Sequence, residues 1–321
     1  MVAWLKLGLG VILIGSAWLT FRHSAVDTRR NKNGVANVTG EAWVERMENL
    51  IVLVRGSGDV GSAVAHRLYS AGYAVAIHDG PAPTTSRRTM AFTDAIFDGQ
   101  VTLAGLTATR VGSLTQAAAL LTTRTAMPVI VGDFVATLAA LTPAVLIDAR
   151  MRKRVTPSAQ RGLAPLTLGL GPNFIAGETI DLAIETAWGD DLGAVIAQGS
   201  TRPLAGEPRA LSGHARDRFV YAPANGTFHT DRQIGDTIVV GEIVARLGSL
   251  ALAAPLTGTL RGLTHDAVPV TVGTKVIEID PRGGSVPHGL GERPARIAAG
   301  VLRAVNDRYA TGHVAAQKRN L

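Results

Sequence analysis

Short apolar runs and helical repeats alternate through the first half of the chain. Residues 51–54 form a β-branched apolar run that predicts a buried strand, and apolar residues then recur at helical spacing from Val60 to Leu68. Similar patterns predict a hairpin with its turn at Ala104 and Gly105, and a helix that Ser113 caps. The further predicted strands are 73–77, 129–131 and 144–148, and a further helix is predicted at 134–140. This alternation favours an α/β fold with a Rossmann-like, mainly parallel sheet.

A glycine-rich turn joins the first predicted strand to the first predicted helix. Gly56, Gly58 and Gly61 match G-x-G-x-x-G, which nucleotide-binding α/β units use for a tight turn, a close phosphate and close helix packing. Asp79 ends the next strand 18 residues beyond Gly61, near the place where an acid holds ribose hydroxyls in such units. The predicted cofactor-binding residues of this region are Arg55, Gly56, Ser57, Gly58, Asp59, Gly61 and Asp79.

Asp59 leaves a second interpretation of this turn open. The residue stands at the start of the predicted helix, where a pyrophosphate would bind. A carboxylate in that place satisfies the free amides itself and repels an anion. The alternative is therefore that the three glycines form a structural turn only.

A second glycine loop, 169–177, follows another apolar run. Gly169 and Gly171 are predicted cofactor-binding residues, because successive unhindered amides form an anion-binding concavity. The basic cluster of Arg150, Arg152, Lys153 and Arg154 is expected to lie near this loop; the alternative is a wide structural loop. Asp133 and Asp148 end strands and are candidates for a ligand, a metal or a helix cap. The carboxylates of Asp181 and Glu185 lack a histidine, so no metal ligand is predicted.

The chain repeats itself beyond residue 220. Ala-Pro-x-x-Gly-Thr at 222–227 recurs at 254–259, an offset of 32 residues. Two interlocking halves of short strands resemble the biotinyl and lipoyl family, a flattened β-barrel. In carrier members of that family a lysine lies at the hairpin between the halves, whereas residues 248–251 contain none. The resemblance therefore implies a structural or docking module without covalent biotin or lipoate.

Composition narrows the choice of partner. The 321-residue chain is 46% hydrophobic and 18% charged, has no cysteine and carries a net charge of +7. Cysteine chemistry is excluded, and the chain is long enough for two or three domains. Nucleic acid is not expected as a partner, because only 5% of residues are aromatic and the basic residues are scattered.

The N-terminal residues raise the question of a membrane anchor. Residues 3–21 are apolar enough to span a bilayer, and the basic residues after them would leave the rest of the chain in the cytoplasm, anchored to the inner face. The alternative is a mis-assigned upstream segment with translation starting at Met47. The predicted division of the chain is anchor or upstream segment 1–21, linker 22–48, Rossmann-like domain 49–155, mixed glycine-loop β segment 156–217, biotinyl/lipoyl-like unit 218–282 and tail 283–321 with a helix from Arg293 to about Val305.

Several ordered segments resemble one protein family. They are Arg-Gly-Ser-Gly-Asp at 55–59, Ala-His-Arg-Leu at 65–68, Arg-Thr-Met-Ala-Phe at 88–92, Phe-Asp-Gly at 97–99, Val-Thr-Leu-Ala-Gly-Leu-Thr-Ala at 101–108 and Gly-Leu-Gly-Pro-Asn-Phe-Ile-Ala-Gly at 169–177. The chain is similar over about 49–305 to the selenium-dependent molybdenum hydroxylase system proteins, which are related in part to the xanthine dehydrogenase accessory factor. It departs from them at 181–190, where the family's two histidines and an arginine are replaced.

The resemblance implies a bacterial cytoplasmic maturation factor for molybdenum hydroxylases. It would bind the molybdenum cofactor or a nucleotide such as NAD(P), with a molybdenum hydroxylase as its client and a homo-oligomer as a further option. One alternative is an NAD(P)-dependent oxidoreductase, although His66 and His78 are poorly placed for proton transfer. Another alternative is a membrane-tethered scaffold whose β unit docks a client enzyme.

Overall fold

A computed structural model describes residues 50–152, 155–204, 208–284 and 288–318. Its strands are β1 (Ile51–Arg55), β2 (Ala74–Asp79), β3 (Gln100–Leu103), β4 (Leu106–Val111), β5 (Met127–Val131), β6 (Val145–Asp148), β7 (Leu166–Leu170), β8 (Ile175–Ala176), β9 (Leu182–Ile184), β10 (Val195–Ile196), β11 (Gly199–Ser200), β12 (Phe219–Tyr221), β13 (Gly226–His229), β14 (Thr237–Ile238), β15 (Ile243–Leu247), β16 (Leu250–Ala253), β17 (Gly258–Leu263), β18 (Val268–Val270) and β19 (Lys275–Asp280). Its α-helices are α1 (Asp59–Ser70), α2 (Ala95–Asp98), α3 (Leu114–Thr123), α4 (Phe134–Leu141) and α5 (Glu292–Lys318), and a 3₁₀ turn spans Arg88–Met90.

Nine strands form the largest sheet of the described residues, in the order β10-β9-β7-β6-β1-β2-β5-β4-β3. The inner pairs are parallel, whereas β3 and β10 run antiparallel at the two edges. The chain leaves β1 toward β2 and later returns on the other side of β1 as β6. Strand order therefore reverses between β1 and β6, and a crevice opens at their carboxyl ends, where ligands bind in open α/β sheets.

The predicted fold class, a Rossmann-like domain followed by a separate β segment, is wrong. Strands β7, β9 and β10 of the predicted separate segment extend the same nine-stranded sheet. A Rossmann unit links its parallel strands through helices, but here the described residues between β6 and β9 contain no helix, and a hairpin follows β2. Helix α5, from the C-terminal part of the chain, covers the sheet face that crossover helices would otherwise cover.

Apolar side chains cover both faces of this sheet. Val52 and Val54 of β1 pack with α1 and α5 on one face, whereas Leu53 packs with α3 and α4 on the other. The buried strands therefore read as continuous apolar runs, as expected of strands covered on both sides.

The duplicated region forms two four-stranded sheets, ordered β12-β19-β17-β14 and β16-β15-β13-β18. Each sheet takes strands from both repeats, so the halves interlock around a core that includes Phe228 and Ile277. The predicted biotinyl/lipoyl-like barrel module is nevertheless wrong as a fold assignment, because the described strands form two open sheets without hydrogen bonding between them.

This β unit also packs against the first part of the chain. The amide of Leu263 donates to the carbonyl of Ser86 at 2.7 Å, and Arg88 donates to the carbonyl of Leu263. The ring of His265 stacks on Phe97 at 4.0 Å. Residues 86–97 therefore contact the β unit.

Several predictions lie outside the described residues. They are the anchor at 3–21, the linker at 22–48, the start at Met47, and Lys153 and Arg154 of the basic cluster. Among the helices that the structure does describe, none has the length and apolar character to cross a membrane.

Candidate anion-binding site

The crevice between β1 and β6 holds a charged pair from adjacent strands. Arg55 ends β1 in register with Asp148, which ends β6. The two side chains approach to 3.8 Å between Nη1 and Oδ2. Strand register therefore places one cation and one carboxylate at the point where strand order reverses.

Arg55 is held from several sides and still has an unused donor. Its guanidinium lies 3.5 Å from the centre of the Phe134 ring, and its Nη1 donates to Oε1 of Gln160 at 3.3 Å. The side chain is 12% exposed, and its buried Nε has no hydrogen-bond partner. Burial, together with the positive charge of Arg150, lowers the pKa of Arg55 to about 10. A negatively charged ligand would accept a hydrogen bond from the Nε and would offset the burial of the positive charge.

Asp148 is already engaged by its neighbours. Arg150 forms an ion pair with its carboxylate, and Nε2 of Gln160 donates to Oδ2 at 2.6 Å. Burial alone would raise the pKa of Asp148, but the bonds from Arg150 and Gln160 hold it below its ordinary value. Because this carboxylate carries a single negative charge, it cannot neutralise Arg55 and Arg150 together.

A narrow cleft adjoins these residues, and about 10 Å³ of it accepts the centre of a water-sized sphere. It is lined by Asp148, Arg150, Met151, Arg152, Pro157, Leu170, Pro172 and Phe174. The structure thus brings Arg150 and Arg152 to the second glycine loop, as predicted. Two arginines and one acid line the cleft, and Arg55 lies 3.8 Å from that acid, which leaves an excess of positive charge beside a concave site.

The first glycine turn is held together by carboxylates. Both the amide and the hydroxyl of Ser57 donate to Oδ2 of Asp79 at 2.7 Å. Asp59 accepts from the amide of Val60 and forms an ion pair with Arg87 at 3.2 Å. A phosphate at this turn would have to displace these acids. This arrangement favours the alternative in which the three glycines form a structural turn only. Ligand contact by Ser57, Gly58, Asp59 and Asp79 stays a prediction.

Gly56 and Gly61 meet at the centre of this turn. Gly56 has φ +108, and its amide donates to the carbonyl of His78 at 2.8 Å. A Cβ on Gly61 would lie 2.0 Å from the carbonyl oxygen of Gly56. Gly61 is therefore required by the packing of α1 on β1, and Gly56 by its positive φ and by the Ala149 backbone, which a Cβ would meet at 3.0 Å, whether or not a ligand binds.

In the second glycine loop the glycines are tightly packed, and the residues beside Gly171 line the cleft. A Cβ on Gly169 would lie 2.3 Å from the Phe174 ring. Gly171 has φ +90, and a Cβ there would lie 2.9 Å from Oγ1 of Thr186 and 3.5 Å from Met151. Leu170 and Pro172 on either side of Gly171 line the cleft. Direct ligand contact by Gly169 and Gly171 stays a prediction.

The other candidate acids have structural partners. Asp133 caps α4 by accepting from the amide of Ala136 at 2.7 Å. Asp181 accepts from the amide of Thr167, and Glu185 from the amides of Thr186, Ala187 and Arg202. Among the described residues, no three histidine, aspartate or glutamate side chains gather as metal ligands would.

Two residues of the site were missed by sequence reasoning. Gln160 binds both Arg55 and Asp148 although it lies 105 positions from Arg55, and Phe134 forms the surface on which the guanidinium rests. Neither residue belongs to a motif. The only available signal was that Phe134 follows a strand end, where crevice residues collect.

Comparison with known proteins shows that the chain is similar in sequence to one relative. No model of a known protein family matches it. It is 38% identical over 256 residues to the uncharacterized protein YqeB of Escherichia coli K12, over 79% of this chain and 47% of that protein. The chain thus spans about half the length of the curated relative that it matches.

The solved structures that resemble the chain do so weakly. They include the ectoine utilization protein EutE (DoeB) of Ruegeria pomeroyi, with 12% identity, a TM-score of 0.21, and coverage of 71% of this chain and 85% of that one. A succinylglutamate desuccinylase/aspartoacylase of Rhodobacter sphaeroides shows 14% identity, a TM-score of 0.20, and coverage of 72% and 84%. An aspartoacylase family protein of Mesorhizobium loti shows 11% identity, a TM-score of 0.21, and coverage of 72% and 84%.

These matches contradict the keywords that were predicted for the chain from its sequence. The terms were molybdenum cofactor, selenium-dependent molybdenum hydroxylase, maturation factor, Rossmann-like, nucleotide-binding and biotinyl/lipoyl-like. They are wrong for the proteins matched here, because the solved structures are described as ectoine-utilization and aspartoacylase-type proteins and the sequence relative as uncharacterized. TM-scores of 0.20 to 0.21 carry no argument about this chain's own fold or chemistry.

Proposed function

We propose that this chain is an accessory protein that binds a small molecule through a phosphate or similar oxyanion in the crevice between β1 and β6. The observation that supports it most is the buried Nε of Arg55, which has no hydrogen-bond partner, beside an acid already bound by Arg150 and Gln160. Arginine presents a planar fork of donors that matches an oxyanion.

The position of the crevice supports the same proposal. It lies where strand order reverses, at the carboxyl ends of parallel strands. Arg152 is exposed at the cleft and would meet an incoming anion first, whereas Arg55 is mostly buried. The molybdenum cofactor or NAD(P) as the ligand, and a molybdenum hydroxylase client or a homo-oligomer as partners, stay predictions.

The test is isothermal titration calorimetry of the full chain with inorganic pyrophosphate and with ADP, at low and at raised salt. We expect binding that weakens with salt, and a loss of about 10- to 100-fold in affinity for Arg55→Met, since a hydrogen bond to a charged group contributes about 1.5–3 kcal/mol. Arg152→Gln should weaken binding less, because its side chain is exposed.

The matched control is Arg246→Met, which removes an exposed arginine from β15, outside the crevice. Its affinity should equal that of the unchanged chain. Equal affinities for Arg55→Met and Arg246→Met would contradict the proposal, as would failure of both probes to bind. Circular dichroism of each variant shows that it is folded.

A further inference from the structure

A second cluster of cations surrounds Glu278, where the β unit packs against residues 86–97. Glu278 lies on β19 with its side chain fully buried. Four cations reach its carboxylate: Arg87 at 2.9 Å, Arg218 at 2.6 Å, Lys275 at 3.0 Å and Arg261 at 3.3 Å. Burial would raise the pKa of Glu278, but Lys275 and Arg87 hold it well below its ordinary range.

The charges of this cluster do not balance. Asp280 pairs with Arg261 at 3.2 Å and with Arg282 at 2.7 Å, and Asp59 pairs with Arg87. The cluster of described residues therefore contains five cations and three carboxylates. An excess of positive charge away from bulk water is costly, and proteins usually offset such an excess with a counter-charge.

Unused donors accompany this excess charge. Arg218 is only 4% exposed, and its buried Nε has no hydrogen-bond partner. The buried Nε of Arg261 is in the same condition, since its 3.3 Å approach to Glu278 lacks hydrogen-bond geometry. Glu278 already accepts from two groups on each oxygen, from Arg87 and Arg218 on Oε1 and from Arg87 and Lys275 on Oε2. A further acceptor is what the cluster lacks.

Two cations of the cluster are partly exposed. The side chains of Lys275 and Arg87 are 31% and 25% exposed, whereas those of Arg218 and Glu278 are almost completely buried. We infer that this cluster is a second anion site, which takes a small tetrahedral oxyanion such as a phosphate group, with Lys275 at its entrance. This site contains none of the residues of the Arg55 crevice, so it does not depend on the function proposed above.

The test is thermal unfolding of the full chain in the Arg55→Met background, which weakens the first site. Inorganic phosphate is compared with sodium chloride at equal ionic strength. We expect phosphate to raise Tm by about 3 °C when its concentration is ten times Kd. Adding Lys275→Met should abolish this rise, and adding Lys275→Arg should keep it because the positive charge remains.

We expect the Lys275 variants to fold. Lys275→Met removes a partly exposed cation from a cluster with excess positive charge, so it leaves no acid without a cation. Adding Arg246→Met instead is the control and should keep the phosphate effect. No phosphate effect in the Arg55→Met background, or an equal effect after adding Lys275→Met, would overturn the inference. Either result leaves the calorimetric comparison of Arg55→Met with the unchanged chain to decide the first proposal separately.

Discussion

At the scale of single residues, Gly61 links the sequence motif to the packing. A Cβ at this position would meet the carbonyl oxygen of Gly56 at 2.0 Å, because α1 starts directly against the end of β1. The contact is with backbone, which cannot turn away as a side chain can. The third glycine of the motif is therefore a steric requirement of this turn.

We predict that Gly61→Ala destabilises the chain by about 1–3 kcal/mol, the usual cost of overpacking a well-packed site. Urea unfolding followed by circular dichroism measures the change. Gly112→Ala is the matched control, because its nearest neighbour would be the Gln116 side chain at 3.8 Å. Its free energy of unfolding should change by less than about 0.5 kcal/mol. Equal effects of the two variants would refute the steric argument.

At the scale of elements, polar residues at strand ends begin the following helices. Ser113 accepts from the amide of Gln116 and starts α3, as predicted, and Asp133 accepts from the amide of Ala136 and starts α4. Helix α1 differs, since its cap is Gly58 and no side chain bonds its first amides from that position. The carboxylates of Asp59 and Asp79 bond amides at the turn instead.

We predict that Asp133→Ala costs about 1 kcal/mol, the usual contribution of an N-cap, and that Asp133→Ser restores most of it. Chemical denaturation gives both values. The structure supports this cap in place of a ligand role, because the carboxylate already accepts from α4. A loss of ligand affinity in Asp133→Ser with unchanged stability would favour the ligand role instead.

At the scale of the whole molecule, the C-terminal helix completes the core of the large sheet. Ile297, Val301 and Val305 of α5 are fully buried in the same cluster as Val52 and Val64. Gly300 lies so close to Gly193 that a Cβ would be 2.1 Å from the carbonyl oxygen. The helix begins at Glu292, near the predicted Arg293, but it runs on to Lys318 and belongs to the core of the sheet.

We predict that Ile297→Ala destabilises the chain by about 2–5 kcal/mol, because it removes a fully buried side chain and leaves a cavity. The exposed Ala295→Gln on the same helix should change the free energy of unfolding by less than about 0.5 kcal/mol. Denaturant unfolding of both variants measures the difference. A small effect of Ile297→Ala would mean that α5 is not part of the core.

The sequence by itself determined the local features of this protein. Apolar runs located β1, β5 and β6, the turn at Ala104 and Gly105 joined β3 to β4, and the repeat offset indicated interlocking halves. These features depend on residues within one element or one turn. Periodicity and turn chemistry therefore suffice to predict them.

Only the tertiary structure decided which of these elements meet. Arg55 finds Gln160 across 105 positions, and Arg87 finds Glu278 across 191. Strands β7 and β9 join the large sheet, and α5 packs on the sheet face that α1 also covers. Hydrophobic pattern shows that a residue is buried but does not identify the residue that packs against it. The cluster around Glu278 was not predicted, because its charges come from segments that lie far apart along the chain.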